Sequence, residues 1–264
     1  MNLILLQPTE LDGDGTVRLA DARGAHIATV LNAVPGQHVR IGLVDGPFGT
    51  GTVTAVEPSL VSMRCDFEAA TPSRPRLDLL LALPRPKVLR RLWSQLAALG
   101  VGQVILTNAA RVERDYFGAH VVDPAVFTPL LIEGLQQARD TRLPVVSIHR
   151  RLKVLVEDDL DALFPGGVRA VAQPGHDDTL ARVLAGAGPA RALLAVGPEG
   201  GWTGFELDLL ARHGFRAAGM GSRTLRSDTA TIALLTLAHQ ALDRFSVVSS
   251  RFSVETGPSP ETKY

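Results

Sequence analysis

The residues best suited to do chemistry stand in two glycine-bearing loops late in the chain. The first reads Gly197-Pro198-Glu199-Gly200-Gly201; the second runs from Gly219 through Met220, Gly221, Ser222, Arg223, Thr224 and Leu225 to Arg226, with Ser227 and Asp228 next. Glycines remove Cβ atoms, so a flat ligand could lie directly on the main chain at Gly197, Gly200, Gly201 and Gly221. Arg223 and Arg226 add planar, permanently charged donors, and Glu199 and Asp228 add carboxylates. That mixture suits a pocket that holds an organic ligand by its backbone and stabilises charge developing on a reacting group. A tight strand-to-helix turn would use the same first glycines, but the second block beside it favours ligand binding.

The flanking residues say how these loops are held. Ala192 to Val196 is an apolar run of strand length. Thr203 and Glu206 then form a T-x-x-E capping box, so a helix starts here, carries Leu207, Leu209 and Leu210, and stops at Gly214. A short strand around Phe215 to Ala218 leads into the second loop. Ser227 or Asp228 is available to cap the following helix, whose Ile232, Leu234, Leu235, Leu237, Ala238 and Leu242 make it apolar nearly all round and hence buried.

Upstream, the pattern divides the chain. In residues 1–70, stretches at Thr16 to Leu19, Val39 to Val44, Gly51 to Val56 and Leu60 to Phe67 alternate with turn pairs such as Pro35-Gly36 and Asp45-Gly46, the mark of a small barrel of short strands. Residues 71–76, with Pro72 and Pro75, read as a linker. From Leu77, strands near 77–83, 103–106, 145–148, 168–172 and 192–196 alternate with helices at 88–99 and around 124–139. This predicts an α/β fold with a parallel sheet over 77–245, with ligands at the carboxyl ends of its strands. The tail, 246–264, rich in Ser, Thr, Pro and Glu, is expected to be mobile.

Composition narrows the function. The chain has 264 residues with 45% apolar, enough for a sizeable core, and one cysteine, Cys65, which excludes an internal disulfide and a cysteine-based zinc cluster. That usage fits a cytoplasmic protein. The N-terminus has neither the basic region nor the apolar core of a signal peptide, and no run is long enough to span a bilayer. Seven histidines show no H-E-x-x-H spacing, so no metal site is expected. Net charge is zero, and positive charge is almost all arginine, since Lys87, Lys153 and Lys263 are the only lysines. A nucleic acid would therefore be met by a local patch. Arg85, Lys87, Arg90 and Arg91 cluster at a helix start, where cations oppose the helix dipole unless an anion is near.

The two glycine blocks, in order and separation, resemble the C-terminal signature of the bacterial 16S ribosomal RNA uridine N3-methyltransferases, a family of the SPOUT superfamily. Its pattern is roughly I-G-P-E-G-G-F-[ST]-x-x-E, then L-G-x-R-I-L-R-x-E-T-A. The chain matches with Val196 to Gly201, Trp202, Thr203 and Glu206, and again with Gly221, Arg223, Leu225, Arg226, Thr229 and Ala230. Met220, Thr224 and Asp228 depart mildly from it.

Elsewhere the likeness is looser. His26, Val30 and Leu31 match an N-terminal H-x-x-x-V-L-R segment in which Asn32 replaces arginine. Gln95 stands where the family has a basic residue, which leaves Arg90 and Arg91 as substitutes. Gln137 and Pro144 match Q-S-x-R-x-x-x-P, with Ala138 and Asp140 departing and Arg139 as stand-in.

The resemblance implies an RNA-binding PUA-like barrel at 1–70, a trefoil-knotted methyltransferase domain, a homodimer with interfacial active sites, and S-adenosyl-L-methionine as cofactor. Its binding residues would be Val196, Gly197, Pro198, Glu199, Gly200, Gly201, Met220, Gly221 and Leu225. The implied substrate is one uridine of 16S rRNA, in the small ribosomal subunit, contacted by His26, Arg90, Gln137, Arg139 and Arg223. Arg226 would stabilise the charge left when uracil N3 loses its proton, with Asp228 or Glu199 accepting the proton or orienting the guanidinium. Read without the resemblance, the same residues leave open a nucleotide-binding oxidoreductase, weakened by the lack of a G-x-G-x-x-G unit, and a non-catalytic RNA-binding module.

Overall fold

The computed structural model describes residues 3–185, 187 and 190–242; the expected tail at 246–264 lies outside the described residues. The first part is a five-stranded sheet built from β1 (Ile4–Leu6), β2 (Thr16–Leu19), β3 (His38–Leu43), β4 (Phe48–Glu57) and β5 (Leu60–Phe67), in the order β1-β3-β4-β5-β2. The pairs are antiparallel except β1 with β3. The expectation of strands alone needs correcting, because α1 (Ala22–Thr29) is inserted after β2. Asp21 caps it by accepting from the Arg23 amide. Gly24 lets it approach β2 closely, since a Cβ there would come 2.2 Å from the Leu19 carbonyl oxygen.

The second part carries β6 (Leu77–Ala82), α2 (Pro86–Ala98), β7 (Val101–Thr107), α3 (Pro124–Ala138) and β8 (Val145–His149). It continues through α4 (Leu152–Val154), a π-helical turn (Leu155–Asp159), α5 (Leu160–Leu163), β9 (Val168–Ala172) and α6 (Leu180–Leu184). Last come β10 (Ala192–Val196), α7 (Gly204–Arg212), β11 (Phe215–Ala218) and α8 (Ser227–Ala241). The strands form one parallel sheet in the order β11-β9-β10-β6-β7-β8. From adjacent β6 and β10 the chain moves off in opposite directions, toward β7 on one side and β11 on the other. Such a switch point opens a crevice at the carboxyl ends of the strands.

β6, β7 and β10 are buried along their whole length, as their near-continuous apolar sequences require of central parallel strands. The one charged group among them, Asp78 on β6, is fully buried and pairs with Arg191. Burial pushes its carboxyl up to about 6 despite the opposing pull of Arg191.

The two sheets are bound to each other more tightly than a linker at 71–76 implies. Strand alternation sends Ile4 and Leu6 into the smaller core with Ile27, Ile41 and Met63, and sends Leu3 and Leu5 into the core of the parallel sheet. The turn at Asp45 is clamped from the other side: Arg74 meets its carboxylate at 2.9 Å, Arg142 donates to its carbonyl at 2.8 Å, and Thr141 donates to the Gly46 carbonyl at 2.6 Å.

Candidate active site

A cavity of about 350 Å³ opens where β9, β10 and β11 end. Ala172, Val196 and Ala218 supply the strand ends, and the two glycine loops with the first turns of α7 and α8 supply the walls. Val196, Gly197, Pro198, Glu199, Gly200, Gly201, Met220, Gly221 and Leu225 all line it, so the nine positions expected to hold a cofactor converge on one space.

Local chemistry explains the loop shapes. Gly201 has φ +73° and closes a turn by donating to the Pro198 carbonyl at 2.8 Å, a conformation that strains any side chain with a Cβ. Gly200 is bare because Arg111, from the loop after β7, lies over it: its guanidinium donates to the Gly200 carbonyl, and a Cβ would come 2.9 Å from Arg111 Cδ. Trp202 packs behind Gly197, at 8% exposure, and also faces the cavity.

Helix α7 begins as expected, with Thr203 Oγ1 accepting from the Glu206 amide and Glu206 Oε2 accepting from the Thr203 amide at 2.7 Å. Glu206 does a second job. Its other oxygen accepts the Ala110 amide at 2.7 Å, tying the loop after β7 to the start of α7. The expected cap of α8 is corrected: Arg226 occupies the cap position with extended backbone and no side-chain cap bond, and Ser227 is the first helical residue. Ser227 is therefore turned inward on the cavity wall, and its Oγ is buried without a partner.

The expected catalytic trio is only partly gathered. Glu199 lines the cavity, and its carboxylate is 3.0 Å from Arg85 Nε. Arg226 and Asp228 are not on its wall; Arg226 is exposed at the mouth of α8, and Asp228 accepts from Arg91 at 3.1 Å. The Thr229 amide, followed by Arg226 and Arg91, holds the Asp228 carboxyl below the usual carboxylate range. Both carboxylates are thus paired with arginines of α2, Glu199 with Arg85 at its cap, where an anion offsets the cationic helix start, and Asp228 with Arg91 in its second turn.

Of the expected substrate residues, Arg223 reaches the cavity, whereas His26, Arg90, Gln137 and Arg139 lie elsewhere: His26 on α1, Arg90 exposed on α2, and Gln137 and Arg139 exposed at the end of α3, where Arg139 takes a left-handed conformation. Gln173 and Pro174, after β9, and Arg111 were not anticipated. Their stretches of sequence carry no motif; only strand order brings them to the site. Cys65 is removed from it, on β5, and burial raises its thiol to about 11. Among the described residues no group of three or more His, Cys, Asp or Glu could hold a metal, and no helix is long and apolar enough to cross a membrane.

The donor set fits a nucleoside-bearing cofactor: bare glycine backbone, an apolar floor of Val196, Leu207 and Leu234, and the unsatisfied polar atoms Ser227 Oγ and Trp202 Nε1. A parallel sheet with a ligand-sized cavity beyond the carboxyl ends of its strands places the chain among the α/β proteins that bind ligands at that edge of the sheet.

Comparison with known proteins makes that class specific. The family model for an RNA methyltransferase domain matches residues 71–239, and the chain belongs to this family of RNA methyltransferases. The chain is similar to ribosomal RNA small subunit methyltransferase E of Treponema pallidum, 29% identical over 236 residues that cover 88% of each chain. It is also similar to the protein of that name from Mycobacterium bovis, 26% identical over 260 residues, 96% of this chain and 94% of the relative. In fold it resembles the crystal structure of ribosomal RNA small subunit methyltransferase E from Neisseria gonorrhoeae bound to S-adenosyl methionine, with a TM-score of 0.73 and 20% identity over 92% of this chain and 98% of that one. The family resemblance first drawn from the glycine blocks is borne out.

Proposed function

We propose that the chain transfers the methyl group of S-adenosyl-L-methionine to N3 of a uridine in 16S rRNA, in the cytoplasm, as a homodimer acting on the small ribosomal subunit. The observation that carries this reading is the convergence of both glycine loops on one cavity in a chain of the RNA methyltransferase family. The names of its Treponema and Mycobacterium relatives support small-subunit rRNA as substrate. In this reading the sheet at 1–70 is a PUA-like RNA-binding barrel, the linker 71–76 leads into a SPOUT domain at 77–245, and the segments bearing the two glycine loops form a trefoil knot.

The cofactor would be held by Val196 to Gly201, Met220, Gly221 and Leu225, with Ser227 Oγ as a further donor. It supplies an electrophilic methyl group on a sulfonium, so the protein's task is placement and charge control. Uracil N3 carries a proton at neutral pH, and its lone pair becomes nucleophilic only as that proton leaves. Arg226, projecting from the start of α8, stabilises the resulting negative charge on the base. Asp228, held ionised by its neighbours, orients that guanidinium. Glu199, the one carboxylate of the trio on the cavity wall, is the acceptor for the N3 proton. Arg223, Arg90, Gln137, Arg139 and His26 contact RNA; those remote from the cavity do so along its path or across the dimer.

Cofactor titration of the full chain tests the site. Gly201→Val forces a β-branched residue into a left-handed loop conformation and should abolish S-adenosyl-L-methionine binding in a folded protein. Unchanged affinity would contradict the assignment.

A further inference from the structure

A second cavity, of about 240 Å³, lies beside the first, at the carboxyl end of β7. The two share the start of α7: Trp202 lines one and Thr203, the next residue, lines the other. None of the residues that line it belongs to the proposed cofactor site, yet it has the parts of a binding site. Phe205 lines it with 61% of its surface exposed, so most of its phenyl ring is open to a ligand. Gly204 beside it leaves open space, for a Cβ there would meet nothing within 4 Å.

The floor is polar at one point. Asn108 is fixed by its backbone, its amide donating to the His149 carbonyl at 3.2 Å, while its side-chain oxygen is buried without a partner. Lys153 lines the rim from α4, and its ammonium is only 3.8 Å from Glu157, a loose exposed pair that leaves it able to meet an anion. Glu206 also faces the space, but both its oxygens are engaged by the Ala110 and Thr203 amides and the Thr203 hydroxyl. The π-helical turn that follows α4 is a distortion often found at functional sites.

An exposed aromatic ring, a buried amide edge and a rim ammonium match the three faces of a nucleotide: base plane, base edge and phosphate. The cavity is also smaller than sites for drug-sized ligands, about 300–1,000 Å³. We infer that it is a subsite for one unpaired nucleobase of the RNA substrate, a neighbour of the target, stacked on Phe205 and read by Asn108. This rests on the RNA methyltransferase reading above and adds to it where the strand is gripped. Holding a flanking base here would fix the strand while the target base enters the adjoining cavity.

The test uses the full chain and 16S rRNA transcripts carrying 4-thiouridine. Phe205→Ala should weaken RNA binding on the order of tenfold, Phe205→Trp should restore it, and affinity for S-adenosyl-L-methionine and the oligomeric state should not change. Asn108→Ala should weaken RNA binding in the same direction. Photocrosslinks should map to the segment 203–206 in the wild type and fall in the alanine variant. Unchanged RNA affinity in Phe205→Ala would overturn the subsite. So would dissociation of a dimer by that substitution, since Phe205 would then belong to a subunit contact. If the wild-type chain binds no RNA at all, the broader reading fails with it, which separates the two failures.

Discussion

Arg91 on α2 donates to Asp228 in the first turn of α8 at 3.1 Å, joining residues 137 positions apart in the chain. The arginine is 62% exposed and the carboxylate 20%, so the contact adds little to stability. Its effect is directional, since Asp228 also feels Arg226 and is held in its charged form by both guanidiniums and the Thr229 amide.

Arg91→Ala is therefore expected to change stability by less than about 1 kcal/mol while slowing methyl transfer. Asp228→Asn should slow it too, and the double variant should be no slower than the worse single one. Single-turnover rates across the cycle check this; additive losses would mean that the two residues act independently.

Arg226→Ala should keep the fold, because the residue is exposed and makes no side-chain cap bond. Methyl transfer should fall on the order of a hundredfold, as when one electrostatic donor is removed from an active site. The measurement is single-turnover methylation at saturating cofactor, and a near wild-type rate would remove Arg226 from the mechanism.

Much of this site was legible in sequence because its signals are local. β10 and β11 have the expected bounds, the Thr203 and Glu206 box is formed as read, and Gly214 ends α7 with φ +81°. What was missed depends on contacts between distant segments. Nothing in Gln173-Pro174 announces a cavity wall, and no spacing rule pairs Arg85 with Glu199. The only hint was an excess of cations at a helix start. Helix α1 escaped because its eight residues include Gly24 and are too few for a clear apolar period; the Asp21 cap was the available signal. The link between the two sheets was hidden in β1, whose alternate residues serve different cores.

Asp78 gives a pH signature far from the cavity. Its folded pKa of about 6 lies above the ordinary 3.8, so the folded state binds the extra proton between those values. Stability from this group is present at low pH and is lost as pH rises toward and past 6, a swing of ~3 kcal/mol. Urea unfolding of wild type and Asp78→Asn from pH 4 to 7 should show the wild type losing stability relative to the variant as pH rises. Parallel curves would mean that Asp78 titrates normally.

The atom that receives the methyl group decides whether the proposed function holds. Small ribosomal subunits or 16S rRNA lacking the modification should be incubated with the full chain and S-adenosyl-L-methionine, digested to nucleosides and resolved by mass spectrometry against standards. One new 3-methyluridine per 16S rRNA is expected, absent with Arg226→Ala. Methylation at another atom or base, or no product from a chain that binds both cofactor and RNA, would refute transfer to uridine N3.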